Sequence, residues 1–132
     1  MPRLGEAGYV MLQYLQQRLK SFHFAIKGIS TLFREEPNAR IHLVITLIVL
    51  GLAYFFDIKR WEWVSLMASI TLVLAAEAFN TSIEFLTDLT SPDYHPLAGK
   101  AKDMAAAAVL ICATGAVIIG LYIFAPYFLE LR

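Results

Sequence analysis

Between Tyr9 and Phe33 the apolar residues Leu12, Leu15, Leu19, Phe22, Ile26, Ile29 and Phe33 recur at alternating spacings of three and four. That spacing draws one stripe along a helix, and Gln13, Gln16, Gln17, Arg18, Lys20, Lys27 and Arg34 fill much of the remaining surface. A basic, aromatic-rich amphipathic helix of this kind, predicted over residues 9–33, lies in a membrane interface. Residues 1–8, with Pro2, Gly5 and Gly8, read as a loose tail. The segment Arg34-Glu35-Glu36-Pro37-Asn38 ends the pattern, because proline disfavours helix in the residue before it. Three apolar segments follow, predicted as spans over 39–58, 63–89 and 104–125. Between the first two stands a tight polar turn, Asp57 to Trp63, with two interfacial tryptophans, Trp61 and Trp63. Between the last two, Ser91 to Lys100 reads as a loop rich in turn formers, and Pro126 marks the expected end of the third span. Gly115, Gly120 and the alanines from Ala105 to Ala108 offer small faces for close helix approach.

Composition agrees with this pattern. Of the 132 residues, 58% are hydrophobic, against about 45–50% in ordinary soluble domains, and the mean hydropathy is +0.60. The expected fold is therefore all-α and integral to the membrane, one surface helix plus three transmembrane helices in a single domain over 1–132. No removable signal peptide is recognisable. Cys112 is alone in an apolar run and serves packing, not a disulfide framework or a metal cluster. The formal charge of zero conceals an asymmetry. Arg3, Arg18, Lys20, Lys27, Arg34, Arg40, Lys100 and Lys102 share one side, and only Lys59, Arg60 and Arg132 lie opposite. The positive-inside bias places the N-terminus and the His95–Asp103 loop in the cytoplasm.

Against this apolar background the second span carries Glu77, Asn80, Glu84 and Asp88. At 100° per residue the four fall within roughly 80° of one another, with Glu77 and Glu84 about 10 Å apart along the axis. Ionisable groups in a bilayer are costly and face a protein interior or a polar cavity, so such a stripe is a candidate site. Glu36 ends the surface helix, and Lys100, Lys102 and Asp103 open the third span. Carboxylates suit Mg²⁺, which commonly binds through one or two of them plus phosphate oxygens, and a helix N-terminus beside lysines suits an anion. Glu77, the deepest of the stripe, is placed to take a proton from an alcohol, with Asn80 orienting it. No Gly-rich phosphate loop is present. His42 and His95 read as interfacial hydrogen-bonding groups. Two other classes fit the stripe: a proton-coupled transporter carrying its proton on Glu77, and a non-catalytic scaffold with the stripe as helix glue.

The run from Glu77 through Asn80 and Glu84 to Asp88 resembles the signature of the small bacterial diacylglycerol kinase/undecaprenol kinase family. So do His95-Pro96-Leu97-Ala98-Gly99-Lys100-Ala101-Lys102-Asp103 and the upstream Lys27-Gly28 and Glu35 to His42. The resemblance covers about residues 20 to 125 and implies a homotrimer with sites shared between subunits. It implies transfer of the γ-phosphoryl group of Mg·ATP to a membrane lipid hydroxyl, with no nucleic-acid partner. Under it Glu77 is the general base, and Glu36 and Glu84 are the metal carboxylates. Asp93, Tyr94, His95, Lys102 and Asp103, with Glu36 and Glu84, hold the nucleotide, and Asn80 and Asp88 support the site. Asn38 to His42 and His95 to Ala98 are more similar to the undecaprenol branch than to the diacylglycerol branch. The implied location is the bacterial plasma membrane.

Overall fold

The computed structural model describes the backbone of residues 4–130 and the side chains of residues 8–130. Arg3 and Arg132, used above for orientation, lie outside the described residues. Four helices account for almost everything described: α1 (Leu4–Glu35), α2 (Pro37–Phe55), α3 (Arg60–Thr90) and α4 (Pro96–Glu130). The chain divides into two units, one comprising α1 and the other running from Glu36 onward. The all-α expectation holds, and α2, α3 and α4 are each long and apolar enough to cross a membrane.

Taken by itself, α1 is a 32-residue helix, about 48 Å long. It begins at Leu4, within the stretch read as a loose tail. Its stripe residues Leu12, Leu15, Leu19, Phe22, Ile26 and Ile29 are exposed. On the polar side the Arg18 guanidinium sits 5.0 Å from the centre of the Tyr14 ring. The helix stops where proline requires it to. Glu36 is extended, at φ −100° and ψ 111°, and Pro37 occupies the first turn of α2, where a missing N–H costs nothing.

In the second unit α3 is the central helix. It packs extensively along α4 and more sparsely against α2. The turn joining α2 to α3 closes by local hydrogen bonding. The Ile58 N–H donates to the Ala53 carbonyl (3.2 Å) and the Asp57 N–H to the Tyr54 carbonyl (3.2 Å), the pair of bonds that defines a Schellman motif. Asp57 takes the left-handed position, φ 48°, which Asp tolerates better than most side chains. Ile58 is thereby turned inward, to 4% exposure, and joins Ala53, Leu66, Ile123 and Phe124 in the apolar core. Glu62 lies in the first turn of α3, its carboxylate accepting the Lys59 N–H at 2.7 Å and the Tyr127 hydroxyl at 2.6 Å. One buried carboxylate so ties the α2–α3 turn to the end of α4.

Two expectations about α4 need correction. The stretch Pro96–Lys100 is not loop, because α4 begins at Pro96 instead of Met104. The His95 ring accepts the Leu97 N–H at 3.2 Å, and its carbonyl accepts the Gly99 N–H, so His95 caps the helix. Lys100 and Lys102 accordingly sit past the first turn. Pro126 does not end α4, which continues to Glu130, since one missing N–H near a helix terminus is tolerated once packing holds the segment. Gly115 and Gly120 bring no other helix close among the described residues of this chain. A Cβ at either would meet nothing within 4 Å, because α4 contributes Ala105, Ile123 and Phe124 to the buried surface instead.

Candidate active site

On α3 the helical period places Leu66, Ser69, Val73, Glu77, Asn80, Thr81 and Thr87 among the buried positions. The polar stripe is thus the continuation of the packing face. Leu66, Ser69 and Val73 give way to Glu77 and Asn80 at the same angular positions. The hydroxyls on this helix satisfy themselves locally, Ser69 on Ser65 and Thr81 on Glu77, each donating to the carbonyl four residues earlier. The carboxylate and the amide have no such option.

Glu77 is 2% exposed. Its Oε1 lies 3.1 Å from Nε2 of His42 on α2, yet the ring N–H is not aligned on it, so Oε1 has no hydrogen bond. One turn on, the Asn80 amide donates to Oε1 of Glu84 at 2.8 Å. Asn80 Oδ1 is also buried without a partner. Two unsatisfied acceptors this close are unusual in a folded interior, where nearly all buried polar atoms are paired. They mark a polar spot that the hydrogen bonds made along α3 itself leave unsatisfied.

Further along, Asp88 and Lys102 form an ion pair across α3 and α4, Nζ to Oδ1 2.5 Å. Both side chains are substantially exposed, at 66% and 39%, so the pair contributes little stability and separates readily. Beside it is a polar recess of about 200 Å³ lined by Asp88, Ser91, Asp93, Tyr94, His95 and Lys102, among others. Four of the expected nucleotide residues, Asp93, Tyr94, His95 and Lys102, are therefore brought together. Asp103 does not line this recess and is exposed, and Glu36 and Glu84 stand apart from it. Glu36 is half-buried at the start of α2.

From sequence His42 is no more than an interfacial hydrogen-bonding group. Nothing in the periodicity of α2 marks its approach to Glu77, which depends on how α2 meets α3.

Comparison with known proteins locates this arrangement. The description of prokaryotic diacylglycerol kinase matches residues 23–124. The undecaprenol kinase of Bacillus subtilis is 38% identical over 112 residues, covering 85% of this chain and 91% of its own. A diacylglycerol kinase from Synechocystis is 38% identical over 114 residues, covering 86% of this chain and 65% of its own. The diacylglycerol kinase of Escherichia coli K12 is 35% identical over 100 residues, covering 76% and 82%.

The chain belongs to the prokaryotic diacylglycerol kinase family, within which its similarity extends to the undecaprenol kinase branch. It is a membrane lipid kinase, acting on a nucleotide phosphoryl donor and a lipid alcohol. The transporter and scaffold readings are set aside by that membership.

Proposed function

We propose that this protein transfers the γ-phosphoryl group of ATP to the hydroxyl of undecaprenol, giving undecaprenyl phosphate. Diacylglycerol, giving phosphatidic acid, is the alternative acceptor. The observation that carries the reading is the Glu77 carboxylate, 2% exposed at mid-helix with an unbonded oxygen, one turn from the Asn80–Glu84 pair. Glu77 is the general base. Burial withdraws it from bulk water, and the carboxylate takes the proton of a lipid hydroxyl arriving from the bilayer. Phosphoryl transfer asks mainly for positioning and charge neutralisation, so a compact site without a phosphate loop suffices.

Among the described residues no group of three or more His, Cys, Asp or Glu is gathered to hold a metal. The donors nevertheless fit Mg²⁺, which is commonly held by one or two carboxylates with waters and phosphate oxygens. Glu84, oriented by Asn80, and Glu36 are those carboxylates. A bound Mg²⁺ neutralises charge on the transferring phosphate. Asp93, Tyr94, His95, Lys102 and Asp103 hold the nucleotide. Lys102 leaves Asp88 for a phosphate oxygen at small cost, since the pair is exposed.

On this reading α1 lies in the membrane interface, and the N-terminus and the Asp88–Lys102 end face the cytoplasm. A homotrimer covers the apolar side chains that one chain leaves exposed along α3 and α4 and completes the site. The deciding experiment is transfer from labelled Mg·ATP by purified protein in lipid micelles, with undecaprenol and diacylglycerol offered separately. Preference for undecaprenol supports the reading, preference for diacylglycerol replaces the acceptor, and transfer to neither rejects it.

A further inference from the structure

The polar neighbours of Glu77 on its own helix are engaged elsewhere. Asn80 gives its amide to Glu84, and Thr81 bonds the Glu77 backbone carbonyl, not the carboxylate. The group that approaches the carboxylate comes from another helix. It is Nε2 of His42 on α2, 3.1 Å from Oε1. Ala39, one turn earlier on α2, is fully buried, so this end of the helix is seated closely. The His42 side chain is 21% exposed and forms part of the wall of an apolar groove of about 400 Å³. That groove is floored by Leu66, Ser69 and Val73 of α3 and bordered by α2 and α4. The imidazole therefore stands between the buried carboxylate and a lipophilic cleft.

We infer that His42 is a positioning residue for Glu77: its Nε2–H donates to Oε1, fixes the orientation of the carboxylate and presents Oε2 to the lipid hydroxyl. The inference rests on Glu77 being the base proposed above. The distance is already that of a hydrogen bond, and aligning the N–H needs only a change in the ring torsion, which is broad for histidine. A buried carboxylate without a donor is costly, and a carboxylate free to turn presents either oxygen to either side. One donor on Oε1 removes both problems.

In the reaction the lipid O–H bond breaks and its proton goes to Oε2. The hydroxyl oxygen forms the new bond to the γ-phosphorus as the bridging P–O bond breaks, its electron pair leaving on ADP. His42 donates its hydrogen bond throughout, neither gaining nor losing a proton.

The test compares H42L, H42N and H42Q with the native protein, reading kcat, KM for Mg·ATP and thermal unfolding in micelles, beside E77Q. Leucine offers no donor and the asparagine amide falls short. The glutamine amide reaches about as far as the imidazole Nε2. Loss of an orienting partner costs roughly 10–100-fold. The expected result is that loss in kcat for H42L and H42N, with KM for Mg·ATP and unfolding little changed, and recovery of most activity in H42Q. A native kcat in H42L or H42N overturns the inference, as does an H42Q variant no better than H42L or a loss that follows the unfolded fraction. Full activity in E77Q instead removes the base assignment itself, which separates failure of this inference from failure of the reading beneath it.

Discussion

Replacing Glu77 by Gln keeps the length and shape of the side chain and removes its charge and its basicity. In the folded chain the carboxylate is 2% exposed and Oε1 accepts no hydrogen bond. An unsatisfied buried polar group costs about 1–3 kcal/mol, and more when charged. A neutral amide in the same place avoids the charged part of that cost. The variant is therefore expected to unfold at the native temperature or above it. Activity moves the other way. A positioned general base contributes roughly 10²–10⁴-fold, which at about 1.36 kcal/mol per decade is about 2.7–5.4 kcal/mol of barrier. Glu77 does not line the polar recess, so KM for Mg·ATP is expected to stay near the native value while kcat falls. Steady-state transfer from labelled Mg·ATP, beside thermal unfolding in the same micelles, measures both quantities. A kcat within a few-fold of native would refute the reasoning, and so would a loss of activity that merely tracks unfolding. Opposite signs for stability and rate would be the mark of a functional group held at a structural cost.

Three further outcomes are expected. Asn80→Ala removes the 2.8 Å bond to Glu84, so the Mg²⁺ concentration for half-maximal activity should rise by roughly 10–100-fold; an unchanged Mg²⁺ titration would show that Glu84 needs no orienting partner. Lys102→Met should raise KM for Mg·ATP by roughly tenfold, the loss of one charge-assisted hydrogen bond, with little change in thermal stability because the Asp88 pair is exposed. Tyr127→Phe takes one of two donors from the buried Glu62 carboxylate and should lower the unfolding temperature. Its kcat should stay native, because Glu62 and Glu77 are about 22 Å apart along α3; a kcat loss without destabilisation would show the two ends to be coupled.

Much of this protein is legible residue by residue. The amphipathic period of α1, the break before Pro37, the three apolar segments and the alignment of Glu77, Asn80, Glu84 and Asp88 follow from local rules. Sterics at proline and the 3.6-residue repeat act on neighbours in the chain. Even the early start of α4 was readable, since proline at a first helical position is a start signal as well as a loop former. What could not be read is which groups meet across helices. His42 reaches Glu77, Lys102 pairs with Asp88, and Tyr127 bonds Glu62 from 65 residues away. Each meeting depends on where one helix crosses another, and no periodicity along a single helix encodes that. The helical repeat and the run of apolar residues are enough to set a carboxylate deep in a membrane-length helix. The Asn80–Glu84 bond is local to α3, but the arrival of the α2 imidazole beside that carboxylate comes only from the way the two helices pack.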